Sequence, residues 1–171
     1  MKAFIKEIYS YLIIIVVVVL FRTFIATPVR VDGGSMDDTL NDGQILILNK
    51  LDNNYNRFDI VVINKKLDGK KTKLVKRVIG LPGESIEYKD NVLYIDGKEI
   101  EDVSLSRTGN FNLKELYDID IIPKDYYFVM GDNRNNSMDS RDYRVGLIKK
   151  EDIVGSTKIR LFPFKKIGSI K

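Results

Sequence analysis

Histidine and cysteine are both missing from this chain of 171 residues, and the two absences remove most of the usual hydrolytic chemistry. Without histidine there is no Ser-His-Asp triad. Without cysteine there is no thiolate nucleophile and no disulfide, and without both there is no zinc site built from the common ligands. Charge of one sign is also scarce. Lys+Arg 28 against Asp+Glu 24 leaves a formal charge of +4 and a pI near 9.1, with no basic helix or aromatic-basic alternation, so nucleic-acid binding is not expected. The length suits one ordinary domain with a short appendage, and 44% hydrophobic residues suffice for a core.

Long apolar runs are confined to the N-terminus. Phe4 to Ile25 holds an almost uncharged stretch flanked by Lys6 and Arg22, whose long side chains can reach outward while about 20 residues cross a bilayer. The alternatives are a cleaved signal sequence or a buried strand. Cleavage requires small residues at both subsites, yet Ala26 has Phe24 two residues before it and Gly34 has Asp32. An uncleaved anchor over residues 1–26 is expected. Its orientation is nearly tied by charge, since Lys2 and Lys6 face Arg22 and Arg30.

Residues 27–171 read as strands and turns. Gln44–Leu48, Ile60–Ile63, Leu74–Ile79, Ser85–Tyr88, Val92–Ile95, Tyr126–Met130 and Ile153–Leu161 are short and rich in β-branched or aromatic residues. Asp42-Gly43, Asp68-Gly69, Asp90-Asn91 and Asp96-Gly97 tolerate left-handed backbone angles and mark hairpins. Helical turns are expected only near Asn112–Tyr117 and Lys149–Asp152. The expected fold class is all-β, a sandwich or partly open barrel behind one N-terminal helix.

Three stretches stand out within this pattern. In Val31-Asp32-Gly33-Gly34-Ser35-Met36-Asp37-Asp38-Thr39-Leu40, two glycines allow a bend on which the Ser35 hydroxyl stands exposed; an ordinary Gly-Gly-Ser turn is the plain alternative. A serine nucleophile needs a base, and lysine is strong enough but has an unperturbed pKa of about 10.4. Only a lysine held among apolar groups escapes this, because desolvation disfavours its ammonium form. Lys76 lies between Leu74 and Val78 on one face of a strand, although a strand lysine whose head snorkels to water fits equally well. The third stretch, Gly131–Arg141, reads GDNRNNSMDSR and is a turn held by side-chain hydrogen bonds. Arg134 at the third ligand position breaks any calcium-loop spacing. A loop buttressing a site is expected, with Asp139 and Arg141 paired and Ser137 free to donate to a neutral amine.

Taken in order, these stretches resemble the type I signal peptidases. Gly33-Gly34-Ser35-Met36 with Thr39-Leu40 is similar to that family's nucleophile motif, Val75-Lys76-Arg77-Val78-Ile79-Gly80-Leu81-Pro82-Gly83-Glu84 to its general-base motif, and Gly131–Arg141 to its third signature. The resemblance implies a membrane-bound serine endopeptidase with Ser35 as nucleophile and Lys76 as base. It further implies Ser35 with Gly33 and Gly34 at the oxyanion and substrate site, Ser137, Asp139 and Arg141 in support, and neither metal nor cofactor. The expected partners are signal peptides of exported preproteins, cut after small residues of the Ala-x-Ala type, and membrane lipid. The resemblance places the catalytic domain on the extracytoplasmic side of the cell membrane and sets no oligomeric state. Substrate is expected to lie extended along Asp32–Gly34 and Leu74–Lys76.

Two departures qualify it. Gly33 stands where some members carry an oxyanion-holding serine, leaving the Ser35 N–H as the main donor. Asp38 stands where proline is usual; proline there is expected to stabilise if the backbone suits it, and Asp38 itself is expected to face solvent and cap the turn. The short span from Leu81 to Tyr126 implies an accessory insertion, around 82–122, reduced to a hairpin or two. The rival readings are an inactive membrane-tethered β-domain and a self-cleaving repressor-type Ser-Lys protease.

Overall fold

A computed structural model describes residues 2–170, with the side chains of 2–6 and 10 outside the description. The charge comparison of Lys2 and Lys6 with Arg22 and Arg30 therefore falls outside the described residues. Helix α1, Lys2–Phe24, spans 23 residues, or about 35 Å at 1.5 Å per residue. Its Glu7–Phe24 stretch is long and apolar enough to cross a membrane, and none of its described side chains is buried in the protein.

The chain then enters β1 (Ala26–Arg30), β2 (Ile45–Asn49), β3 (Ile60–Leu67) and β4 (Lys70–Gly80). After these come β5 (Ile86–Lys89), β6 (Val92–Ile95), β7 (Lys98–Ile100), β8 (Phe111–Asn112) and α2 (Leu113–Tyr117). The last strands are β9 (Tyr126–Met130), β10 (Ile148–Lys149), β11 (Ile153–Phe162) and β12 (Gly168–Ser169). One sheet runs β1-β2-β11-β3-β4-β9-β10 with β12 on β11, and a second runs β7-β6-β5-β8. The sheets do not close, so the fold is all-β and partly open behind one N-terminal helix.

The second sheet occupies the region expected to hold a hairpin or two, and has four strands plus α2. It is pinned rather than loosely appended. Ile86, Tyr88, Leu93, Phe111 and Leu113 pack on Ile79, Phe128 and Met130 of the main sheet, and Phe111 stacks on Phe128 with centroids 5.6 Å apart. Each such large buried side chain contributes roughly 1.5–3 kcal/mol of transfer free energy. Asn112, expected at a helical turn, caps α2 by accepting from Glu115 N–H at 2.9 Å.

Asp68-Gly69, Asp90-Asn91 and Asp96-Gly97 act where expected, between β3 and β4, β5 and β6, and β6 and β7, whereas Asp42-Gly43 leads into β2 from a longer β1–β2 connection rather than closing a tight hairpin. A further turn is not among the expected ones. Pro82-Gly83, with Gly83 at φ +88, turns β4 out of the main sheet. Glu84 fixes that turn, accepting from Leu81 N–H at 2.7 Å and from Arg57 Nη2 at 2.6 Å. Asp68-Gly69 joins β3 to β4, but the ladder is longer than expected, with partners unbroken from Ile60↔Arg77 to Leu67↔Lys70. The lysines that mask an apolar strand pattern there still pair through backbone groups, which do not depend on side-chain type.

Candidate active site

Strand β4 changes character at its middle. Before Arg77 it pairs only with β3; from Arg77 onward it also pairs with β9, through Arg77↔Met130 and Val78↔Val129. Lys76 sits at this transition. Its cross-strand partner is Val61, it is 2% exposed, and its face carries Leu74 and Val78 beside Val61 and Ile63. Its Nζ lies 2.5 Å from Ser35 Oγ. Burial lowers the Lys76 pKa from the ordinary lysine value to about 8, with Asp139 and Asp132 pulling it up and Arg141 pushing it down. Desolvation exceeds the carboxylate attraction, so a substantial neutral fraction exists near pH 8.

The serine is presented by a turn closed by its own backbone. Asp37 N–H donates to Gly34 O, and both Thr39 and Leu40 N–H donate to Met36 O, at 2.7 Å for Leu40. Gly33 has φ +84 and its N–H donates to Asp42 Oδ1 at 2.9 Å. The turn is held from outside by Asn133, whose N–H donates to Ser35 O at 3.1 Å and whose Nδ2 donates to Gly34 O at 3.0 Å. With both carbonyls clamped inward, the Ser35 N–H is left without an acceptor among the described residues. Gly33 and Gly34 shape this turn but do not line the neighbouring groove.

Two expectations about Asp38 are corrected. Its φ is +84, whereas proline fixes φ near −65°, so proline cannot occupy this backbone without rearrangement. The side chain is exposed as expected, but it makes no hydrogen bond to the turn among the described residues; Met36 O closes it instead.

The Gly131–Arg141 loop supports both partners. Arg141 Nε and Nη2 each donate to Asp139, at 2.8 Å, and Gly131 N–H donates to the same carboxylate at 3.0 Å. Burial pushes the Asp139 carboxyl up, but the Arg141 guanidinium and the Gly131 N–H outweigh it and hold the pKa below the ordinary carboxylate value. Gly131 has to be glycine, because a Cβ there would collide with Ser137 Oγ and Ser35 O. The Ser137 hydroxyl is buried beside this contact with no hydrogen-bond partner among the described residues, so the expected bond to the lysine amine is not formed here.

Sequence reading missed three of the supports. Asn133 was visible only as one polar residue in a polar run. Arg77 forms a buried bidentate pair with Asp132, at 2.8 and 2.7 Å, and donates to Phe58 O at 2.8 Å. Arg134, two residues after Asp132, meets Tyr88 OH, Thr108 Oγ1 and Asp102, tying the loop to the second sheet. The signal for these pairs was the presence of Arg77 and Arg134 in otherwise apolar or turn-like segments, since buried guanidinium requires acceptors.

A groove of about 650 Å3 runs from the serine between two strand edges, lined by Val29–Asp32, Ser35, Met36 and Lys71–Lys76. The outer edge of β1 is unpaired, because β1 pairs only with β2. The edge of β4 before Arg77 is likewise free. Both strands run toward the Ser35–Lys76 pair, and their apolar residues Val29, Val31, Leu74 and Val75 narrow the walls. The arrangement can hold an extended peptide by main-chain bonds on both sides and bring one carbonyl to a serine hydroxyl.

The described residues contain no cluster of acidic side chains suited to a metal ion. The chain belongs to the family described as signal peptidase, peptidase S26, whose model matches residues 4–162. It is 42% identical to signal peptidase I P of Bacillus subtilis subsp. natto over 95% of this chain and 91% of that protein. It is also 41% identical to signal peptidase I T of Bacillus subtilis strain 168, over 95% and 87%. The crystal structure of a signal peptidase I from Enterococcus faecalis V583 shares 33% identity at a TM-score of 0.53, over 60% of this chain and 96% of that one. The protein is thus a signal peptidase I serine peptidase acting in association with a membrane. Neither rival reading is favoured.

Proposed function

We propose that Ser35 is the nucleophile and Lys76 the general base of this signal peptidase, with the groove between β1 and β4 receiving the segment before the cut. The observation that carries the assignment is the 2.5 Å approach of a buried amine, its pKa lowered to about 8, to the only serine on that turn. The neutral amine accepts the Ser35 proton as Oγ attacks the scissile carbonyl; the resulting ammonium then protonates the departing amine of the mature protein. The Ser35 N–H, held free of other acceptors, donates to the oxyanion. Water next gives a proton to neutral Lys76 and attacks the acyl ester; as the ester C–O bond breaks, the Lys76 ammonium returns that proton to Ser35 Oγ, releasing the signal peptide and restoring the serine and the neutral amine. Ser137, Asp139 and Arg141 act as positioning residues, setting the loop that carries the amine's surroundings.

The direction of the groove supports a substrate coming from the membrane. By register Lys76 is level with Ala26 and the β4 wall runs back from it toward the helix side through Lys73 and Lys71, so a chain entering from that side meets Lys71 before Ser35. Small side chains before the cut suit its apolar walls. The domain of 27–171 lies outside the membrane, on the extracytoplasmic side, where exported preproteins present their cleavage sites. The test is incubation of the detergent-solubilised protein with a preprotein, wild type beside Ser35→Ala. Cleavage only by the wild type, at the junction between signal and mature sequence, is expected; equal cleavage by both overturns the assignment.

A further inference from the structure

The positive excess of this protein is concentrated in one hairpin. Residues 64–73, Asn64 to Lys73, contain Lys65, Lys66, Lys70, Lys71 and Lys73 against the single acid Asp68 at the tip. None of these lysines forms an ion pair among the described residues. Lys66, Lys70, Lys71 and Lys73 are exposed and Lys65 is half-buried. Lys66 and Lys71 are direct cross-strand partners, a placement that is unfavourable for like charges in water. Asp152 lines the same hollow as Lys65, Lys66, Lys71 and Lys73 but pairs with none of them. A hairpin built this way is relieved by an extended anionic surface.

Strand register says where such a surface lies. Ala26, the first residue after the membrane helix, is level with Asn49, Asn49 with Ser156, and Ser156 with Val61. Moving along β3 from Ile60 to Val61 corresponds to moving back along β1 from Thr27 to Ala26, toward the helix. From Val61 the strand continues six residues to Leu67, up to about 20 Å at 3.3 Å per residue. The lysine hairpin therefore projects from the helix end of the sheet. At that same end Lys50 Nζ donates to Arg22 O and Thr23 O, at 3.2 and 3.0 Å, and Lys50 N–H donates to Ile25 O at 3.0 Å. These bonds tie the last turn of the helix to the β2 end and fix the hairpin's aim.

We propose that the β3–β4 hairpin is an electrostatic foot that rests on anionic lipid headgroups of the membrane in which α1 is anchored. Its job is to hold the mouth of the substrate groove at headgroup level, because β4 is at once the hairpin's second strand and one groove wall. The occupant is a lipid surface rather than an acidic peptide: the charges span both faces of the ladder and its tip, and only Lys71 and Lys73 also line the groove. Each lysine brought to an anionic surface strengthens attachment about fivefold. The inference rests on the signal-peptidase reading only for its effect on cleavage; the contact with lipid stands apart from it.

The experiment uses the full chain reconstituted into vesicles of phosphatidylcholine alone or mixed with phosphatidylglycerol. Wild type is compared with the triple variant Lys65→Gln, Lys66→Gln and Lys70→Gln, which spares the groove lysines. Membrane-bound preprotein and a soluble peptide in detergent serve as substrates. Because the chain has no cysteine, Asp68→Cys gives a single site for a nitroxide whose depth is read by spin-label accessibility. Expected are headgroup depth for the label in phosphatidylglycerol vesicles, retreat to water in high salt, several-fold faster preprotein cleavage with phosphatidylglycerol, and loss of that gain in the triple variant with peptide cleavage unchanged. A label that stays in water in anionic vesicles overturns the proposal, and so does a triple variant that keeps the lipid gain. Equal losses on peptide and preprotein overturn it too, pointing to substrate contact. Label depth reads out even in an enzyme that cleaves nothing, so failure of the catalytic assignment is distinguishable from failure of the lipid contact.

Discussion

The two halves of β4 put the same residue type to opposite uses. Between Lys70 and Lys73 the strand is paired on one side and its lysines stand in water; between Lys76 and Gly80 every residue is buried. In the outer half the ammonium keeps its charge and attracts anions. In the inner half burial removes water from one amine and lowers its pKa to about 8, which suits it to the general-base role proposed for Lys76. The difference comes from β9, which covers the strand from Arg77 onward, and from the Gly131–Arg141 loop that follows β9.

The largest effect that would break this contrast is loss of the inner lysine. Lys76→Ala and Ser35→Ala are each expected to lower cleavage at least about a thousandfold, with the double variant no worse than either single one, because the pair acts as one proton-transfer unit. Purified variants in a preprotein assay check this, and substantial activity in either removes the dyad. Lys76→Met is expected to be inactive yet no less stable than wild type in urea at pH 7. The folded pKa is lower than the unfolded one, so burying the ammonium costs stability below pH 8, and the cost disappears as pH rises from about 8 to the ordinary lysine range. The gap between Lys76→Met and wild type should close over that window.

Next in size is the support beneath the inner half. Asp132→Ala strands the Arg77 guanidinium, 4% exposed at its side chain, without its carboxylate, and should cost roughly 3–5 kcal/mol in a denaturant titration. A loss below 1 kcal/mol would mean that water reaches Arg77. The pH dependence gives a finer test. The single-turnover rate should rise along a limb centred near pH 8, as Lys76 becomes neutral. Asp139→Asn removes a carboxylate that raises the Lys76 pKa and should move the limb to lower pH; Arg141→Gln removes a cation that lowers it and should move the limb up. Shifts of opposite sign to these would show that the loop acts on the amine by some other route.

The smallest expected effects fall on Asp38. Asp38→Pro should destabilise by more than about 1 kcal/mol, since φ +84 is closed to proline, and a stabilised variant would show that the turn can rearrange. Asp38→Asn should leave the pH limb in place, because the exposed carboxylate is not among the groups that perturb Lys76. A shift of the limb would put that charge inside the catalytic site.

Sequence alone carried a large part of this protein. The absence of histidine and cysteine left lysine as the base for a serine; strict alternation put Lys76 between Leu74 and Val78; and Asp-Gly and Asp-Asn pairs located the hairpins. These were legible because strand alternation and left-handed turns are set within a few residues. What tertiary structure decided is whatever joins distant segments. The approach of Ser35 to Lys76, the clamp of Asn133 on the Ser35 turn and the Arg77–Asp132 pair all depend on segments meeting across 40 to 100 residues of chain. So does the pKa of Lys76: a lysine among apolar neighbours is written in the sequence, but whether water reaches it depended on β9 and its loop folding over the strand. Desolvation is a property of the enclosed volume, and no local pattern of residues encodes it.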